Sequence, residues 1–157
     1  MILSSPLQRI WHRWQGLSWH ERWFLVKISL ALPCIWLAVR ILSFDRLAGI
    51  LGKTRRSVGR KAGPGDETEE ALIERIVSAV SRAARFSPFR PQCFERSLMI
   101  WWLLRREGVS CDVRLGVRRA GGNVEAHAWV ERDGASITGG SQTGDAYRSF
   151  PIAITPN

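Results

Sequence analysis

The spacing of apolar residues predicts helices in the first third of the chain. Apolar side chains recur at helical intervals throughout Leu7–Leu51, and the pattern predicts a break near Pro33. The charge-free run Ile28–Val39 is twelve residues long, shorter than the roughly 20 residues that cross a bilayer. A longer membrane-spanning segment would place Lys27 and Arg40 inside the bilayer, which is energetically unfavourable. We therefore expect a buried helical hairpin or an interfacial amphipathic segment rather than a transmembrane helix.

The segment Gly52–Gly65 interrupts this pattern. It has no apolar periodicity and is rich in glycine and basic residues, which is typical of a flexible linker. We expect three parts: a helical N-terminal region at residues 1–51, the basic linker at 52–65, and one folded domain at 66–157.

Two further helices are predicted after the linker. Asp66 or Thr68 caps the first of them, because both residue types accept hydrogen bonds from the first amides of a helix. Its apolar face consists of Leu72, Ile73, Ile76, Val77, Val80, Ala83 and Ala84. Ser87–Gln92 contains two prolines and predicts an extended loop. The second helix runs from about Cys93 to Glu107 and ends at Gly108.

The apolar period then changes from helix to strand. Asp112–Arg118 and Glu125–Arg132 both alternate polar and apolar residues, and Gly121–Gly122 lies between them. Asp133–Gly134 predicts a second tight turn before a short strand at Ala135–Thr138. Helices followed by an antiparallel meander predict an α+β domain behind a helical N-terminal region.

Composition separates the chain into two chemically different halves. Of the net charge of +9, all lies in residues 1–61, where eleven Lys and Arg face two acidic residues. Residues 62–157 hold twelve Arg against twelve acidic residues. The basic half carries five of the eight tryptophans, so we expect it to dock to an acidic peptide, a partner protein or anionic lipid. No base-reading motif accompanies the charge, which argues against nucleic acid as a partner.

The candidate chemistry lies in the neutral half. Cys93 opens a helix after a proline-containing loop, where unpaired amides and the helix dipole stabilise a thiolate. The Cys93 backbone amide is a candidate oxyanion donor. His127 lies within a strand, between two small alanines that leave room for another element, and is the only histidine in this half. A cysteine at a helix start with a histidine on a later strand indicates a nucleophile and its general base.

These residues carry a resemblance to a known family. The stretches Cys93–Gly108, Val113–Arg118 and Ala126–Glu131 (Ala-His-Ala-Trp-Val-Glu) resemble the lasso-peptide biosynthesis B2 proteins, which are leader peptidases of the transglutaminase-like cysteine protease superfamily. The resemblance implies a papain/transglutaminase-like core with Cys93 as nucleophile and His127 as general base. It implies a ribosomally made precursor peptide as substrate, cleaved between leader and core.

The third member of the triad departs from the family's pattern. The family places an aspartate about a dozen residues after the histidine, where this chain has no carboxylate. A two-residue hairpin at Asp133–Gly134 would put Asp133 roughly 20 Å along the strand from His127. We therefore interpret Asp133 as a turn residue. Thr138, a backbone carbonyl or Asp145 remain the alternatives for orienting the histidine ring.

The resemblance also implies partners: a small leader-binding protein of the B1 type and a lasso cyclase. Three widely spaced cysteines form no disulfide framework and no zinc motif. We expect neither a metal nor a cofactor, and a cytoplasmic protein for which membrane association is left open. No small-residue cleavage site follows a compact apolar core, so we do not expect a secretory signal. The alternative function is a non-catalytic, membrane-peripheral scaffold or a peptide-binding subunit.

Overall fold

The computed structural model describes residues 18–42, 46, 67–138 and 147–154. The helices are α1 (Trp19–Ile41), α2 (Glu69–Phe86) and α3 (Cys93–Arg106); the strands are β1 (Asp112–Ala120), β2 (Asn123–Arg132), β3 (Ala135–Ser136) and β4 (Arg148–Ile154). The strands form one antiparallel sheet in the order β3-β2-β1-β4. The predicted α+β class is confirmed. The predicted linker at 52–65 lies outside the described residues.

Helix α1 is more regular than expected. The Ser18 hydroxyl accepts from the Glu21 amide and the Glu21 carboxylate accepts from the Ser18 amide, which closes a capping box. The helix then continues through Pro33 to Ile41 without interruption. The predicted break at Pro33 is therefore wrong: a proline removes one backbone hydrogen bond, and here the apolar packing on both sides of that position holds the helix together.

One hydrophobic core joins the three helices to the sheet. Helix α2 begins at the Thr68 cap, whose hydroxyl accepts from the Ala71 amide at 3.3 Å. Its buried face is the predicted one, and Ile28, Leu32 and Ile35 of α1 pack into the same cluster. Residues buried there from α3 and the sheet include Leu98, Met99, Ile100, Trp101, Leu104, Val113 and Val130. Helix α1 is thus an integral part of the core.

The two predicted hairpins are confirmed. Strands β1 and β2 pair through a turn at Gly121–Gly122, with Val113 opposite Val130 and Gly116 opposite His127. At the second turn Asp133 and Gly134 have φ values of 50° and 80°, and Arg132 pairs with Ala135. Positive φ at both positions is the mark of a type I′ turn, so Asp133 is a turn residue as expected.

The strand β4 was not predicted. It pairs with β1 in antiparallel fashion, with an irregularity in register between Arg114 and Gly116. Pro151 lies within it, and a proline normally argues against a strand. The strand is tolerated because it lies at the sheet edge, where an amide can be missing without loss of a ladder bond.

Candidate active site

Cys93 is the first residue of α3, as the sequence predicts, and its side chain is half-buried. Helical hydrogen bonding begins only with the Arg96 amide, which donates to the Gln92 carbonyl at 3.2 Å. The Gln92 amide donates a hydrogen bond to the Glu95 carboxylate at 2.9 Å, and this bond fixes the backbone at the start of α3. The Cys93 amide therefore precedes the first helical bond, in the region where a helix presents its positive dipole end.

A buried hydroxyl anchors this part of α3 to the strand that carries His127. The Ser97 Oγ, one turn after Cys93, donates to the Ala128 carbonyl at 3.1 Å. That carbonyl lies on the same edge of β2 as the Val130 amide and carbonyl, which bind Thr138 and Ile137. Since β3 ends at Ser136, this bond joins α3 to the part of the β2 edge that β3 leaves open, at the residue that follows His127.

His127 lies in an aromatic cluster on one face of the sheet. Its ring stacks with that of Trp129 at a centroid distance of 6.4 Å and approaches Tyr147 at 5.2 Å. Trp129 and Tyr147 are themselves 6.5 Å apart. Residues alternate between faces along a strand, so Ala128 and Val130 point to the other face, where Val130 joins the core. The cluster restricts where the His127 ring can lie.

Gly116 makes room for this cluster. It pairs with His127 across the strands, and a Cβ built on it would lie 2.9 Å from the Trp129 indole and 3.0 Å from the Tyr147 Cβ. Any side chain at this position would therefore displace the rings that hold His127. Sequence reasoning missed both Gly116 and Tyr147. A glycine inside a strand is a signal of close approach, whereas nothing in the sequence singled out Tyr147.

The surroundings of His127 favour its neutral form. Burial lowers the pKa of the imidazole, and the positive charges of Arg118 and Arg96 lower this pKa further. Arg118 is held by Glu125 at 2.7 Å, with its guanidinium 4.8 Å from the centre of the Tyr147 ring. Arg96 belongs to the first part of α3, so the helix that begins with Cys93 is close enough for its charge to act on His127.

Cys93 and His127 belong to two elements that the Ser97–Ala128 hydrogen bond joins, but no described contact links the two side chains. No hydrogen bond joins the thiol to the imidazole in the part of the chain that the structure describes. Catalytic hydrogen bonds are often long before substrate binds and shorten in the complex. The pairing of Cys93 with His127 therefore remains a prediction.

The candidates for a third residue have different outcomes. The Thr138 hydroxyl accepts from the Val130 amide at 2.9 Å, so the structure gives it a partner other than His127. Asp133 is largely exposed and forms an ion pair with Arg132 at 3.3 Å. Asp145 lies outside the described residues. Which group orients the histidine ring stays open among Thr138, a backbone carbonyl and Asp145.

The two other cysteines have different environments. Cys34 is exposed on α1, and its thiol donates to the Leu30 carbonyl at 3.5 Å. Cys111 is buried, and burial raises the pKa of its thiol to about 12, so it stays protonated and inert. Within the described ranges, no group of three His, Cys, Asp or Glu side chains is placed to hold a metal ion.

The anchor between α3 and β2 gives a first prediction. Ser97→Ala removes a buried hydrogen bond and leaves the Ala128 carbonyl unpaired, so we expect the free energy of unfolding to fall by about 1 kcal/mol. Urea denaturation measures the change. Ser78→Ala, at an exposed position of α2, serves as the control and should leave stability within about 0.5 kcal/mol. Equal effects of the two substitutions would contradict the anchoring role.

The electrostatics of His127 give a second prediction. Its pKa should lie below the ordinary histidine value, so the ring is neutral at pH 7 and takes up a proton only in more acidic solution. Any activity that needs neutral His127 should fall as the pH drops through this lowered pKa. Arg118→Gln removes a positive charge and should move both the pKa and the acid limb of activity to higher pH. An NMR titration of the ring measures this; a pKa that stays the same or falls would refute it.

One of three comparisons with known proteins identifies a family. No curated protein and no solved structure matches the chain significantly. The family profile described as the Transglutaminase-like superfamily matches residues 38–151, from the last part of α1 into β4. That range includes the helix that starts at Cys93 and the strand that carries His127, and it covers more than half of the sequence, so this chain belongs to the transglutaminase-like superfamily.

Proposed function

We propose that this protein is a cysteine endopeptidase that removes the leader from a ribosomally made lasso precursor peptide. The superfamily includes cysteine proteases, and the finer assignment rests on the resemblance of the Cys93 helix and the Ala126–Glu131 strand to lasso-peptide leader peptidases. The observation that carries the proposal is the Ser97 hydrogen bond to Ala128, because it holds the helix that begins with Cys93 against the strand next to His127.

The proposed reaction has two halves. His127 accepts the thiol proton of Cys93 as the sulfur attacks the scissile carbonyl, and the first amides of α3, including that of Cys93, stabilise the oxyanion. Collapse of this adduct breaks the C–N bond and leaves the leader as a thioester on Cys93. The proton passes from His127 to the departing amine of the core peptide. Water, deprotonated by His127, then hydrolyses the thioester and restores the thiol.

The lowered pKa of His127 suits the base role. A neutral imidazole is the form that removes a proton, and the nearby charges of Arg96 and Arg118 keep it neutral near pH 7. The same charges disfavour a long-lived imidazolium. We therefore expect proton transfer to accompany attack on the substrate rather than to precede it.

The proposal includes two partners, both from the resemblance. A small B1-type protein would capture the leader and present the junction to Cys93. A lasso cyclase would then close the ring on the freed amine of the core peptide.

The test is cleavage of a lasso precursor in the presence of a B1-type leader-binding protein, followed by mass spectrometry. We expect two products, the intact leader and the intact core, from cleavage at their junction. A precursor with a scrambled leader should be cleaved far more slowly. Absence of cleavage, or cleavage without regard to the leader, would contradict the proposed substrate.

The alternative, a non-catalytic scaffold or peptide-binding subunit, draws on two observations. The thiol and the imidazole are not hydrogen-bonded, and the carboxylate within the β2–β3 turn, Asp133, is paired with Arg132 at the surface. If the protein were a scaffold, leader removal would require a separate peptidase in the reaction. Cleavage of the precursor in a mixture that contains only this purified protein and the leader-binding protein would exclude the scaffold function.

A further inference from the structure

The outer face of α1 is apolar although the helix already packs its other face into the core. Ile28, Leu32 and Ile35 are buried against α2 and α3. On the opposite side a row of large apolar residues remains exposed: Trp19, Trp23, Leu30, Leu37 and Ile41. Their spacing of four, seven, seven and four residues keeps them on one side of the helix. We call this row the outer stripe.

The outer stripe is long and well exposed. It extends over the whole helix, roughly 33 Å at 1.5 Å per residue. Trp19 is 76%, Leu30 69% and Ile41 70% exposed. An apolar row of this length is unusual on the surface of a monomer and marks an interaction site. A helix that is apolar all round is normally buried on every side.

Composition alone would allow α1 to cross a membrane, but its packing does not. Glu21–Ile41 is long and apolar enough to span, and 17% of its most apolar stretch of 18 residues is buried inside the protein. One face, however, is packed against the domain at Ile28, Leu32 and Ile35. If α1 crossed the bilayer, these three residues would either draw the helices packed against them into the bilayer or lose their contacts with those helices. The arrangement fits a helix that lies in the plane of the membrane surface.

The charges that flank the outer stripe match an anionic surface. Lys27 lies beside it, with its ammonium 5.7 Å from the Trp23 ring, and Arg40 stacks on Trp36 at 4.3 Å. The only acidic residue of the helix is Glu21, which is engaged in the capping box. The sequence adds to this, because the whole excess of +9 lies in residues 1–61. Tryptophans and basic residues beside an apolar row are typical of interfacial helices.

We propose that the outer stripe of α1 binds the protein peripherally to anionic lipid bilayers. Trp19, Trp23 and Leu30 enter the boundary between headgroups and acyl chains, and Lys27 and Arg40 lie at the anionic headgroups. The inner face of the helix keeps its contacts with the core. This proposal does not depend on the peptidase function, since it involves neither Cys93 nor His127.

The test uses the full chain and vesicles of phosphatidylcholine with and without phosphatidylglycerol. We expect co-sedimentation with the anionic vesicles, weaker binding to neutral ones, and partial release by high salt. The double variant Leu30→Asn/Leu37→Asn should lower the partition coefficient by about tenfold or more, because it removes exposed apolar side chains without disturbing the core. Val124→Asn, at a position 66% exposed on β2, is the matched control and should bind like the wild type.

Three kinds of result would overturn the proposal. The first is a wild-type protein that does not sediment with anionic vesicles, or a double variant that binds as well as the wild type. The second is retention after an alkaline carbonate wash, which would mean that the helix crosses the bilayer. The third is a stable dimer in analytical ultracentrifugation that the double variant abolishes, which would assign the outer stripe to a second copy of the chain.

Discussion

Cys93→Ala should abolish leader removal. If Cys93 is the nucleophile, its loss removes the only atom that can form the thioester, and we expect the rate to fall by about 10³-fold or more. The helix entry should survive, since the Gln92–Glu95 hydrogen bond and the Ser97 anchor do not involve the thiol. The measurement is single-turnover cleavage of a lasso precursor with its leader-binding protein, with folding checked by circular dichroism.

Cys34→Ala is the matched control for this prediction. Cys34 is exposed on α1 and its thiol has only a helical carbonyl as partner, so the variant should cleave at the wild-type rate. Cleavage retained by Cys93→Ala would refute the nucleophile assignment. Loss of cleavage in both variants would refute it as well, because the effect would then not be specific to Cys93.

Trp129→Ala should cause the largest loss of stability near the site. The indole is 2% exposed and fills the space above Gly116, so we expect the free energy of unfolding to fall by about 3–5 kcal/mol. The indole N–H is buried and has no hydrogen-bond partner among the described residues. Trp129→Phe keeps an aromatic ring in the cluster and removes this unpaired donor, although it lacks the far end of the indole that lies over Gly116, so it should cost less than Trp129→Ala. Urea denaturation of both variants measures the two losses, and equal losses would contradict a packing role for the aromatic ring.

The contact of Trp129 with Gly116 can be tested by a double-mutant cycle. In the wild type, Gly116→Ala forces a Cβ to within 2.9 Å of the indole and should destabilise by about 1–3 kcal/mol. In a Trp129→Ala background the same substitution should cost clearly less, with only the Tyr147 contact remaining. Additive effects would show that the two residues do not meet.

Much of the fold follows from local patterns. The Thr68 cap, the apolar face of α2 and the alternation in β1 and β2 depend on residues close in sequence. The sequence pattern therefore predicts all of them. The same holds for Asp133–Gly134, whose positive φ values suit these residue types. The two features that were not predicted correctly, the unbroken α1 and the strand β4, both contain a proline whose usual effect is overridden by neighbours distant in sequence.

The candidate site shows the same limit. Cys93 and His127 were recognisable because their residue types and their places on a helix and a strand suggest a chemistry. The contact that brings their elements together, from Ser97 to Ala128, joins residues 31 positions apart and has no local signature. Tyr147 belongs to the His127 cluster for a similar reason: it precedes β4, a strand that pairs with β1 across a long stretch of chain.

The most direct test of the central claim, that His127 activates Cys93, measures the alkylation rate of Cys93 near neutral pH. In a Cys34→Ser background, Cys93 is the only reactive thiol, since Cys111 is buried with a raised pKa of about 12. We expect iodoacetamide to modify Cys93 rapidly, and about tenfold more slowly after His127→Ala, because the base that takes the thiol proton is gone. Equal rates with and without His127 would contradict the account.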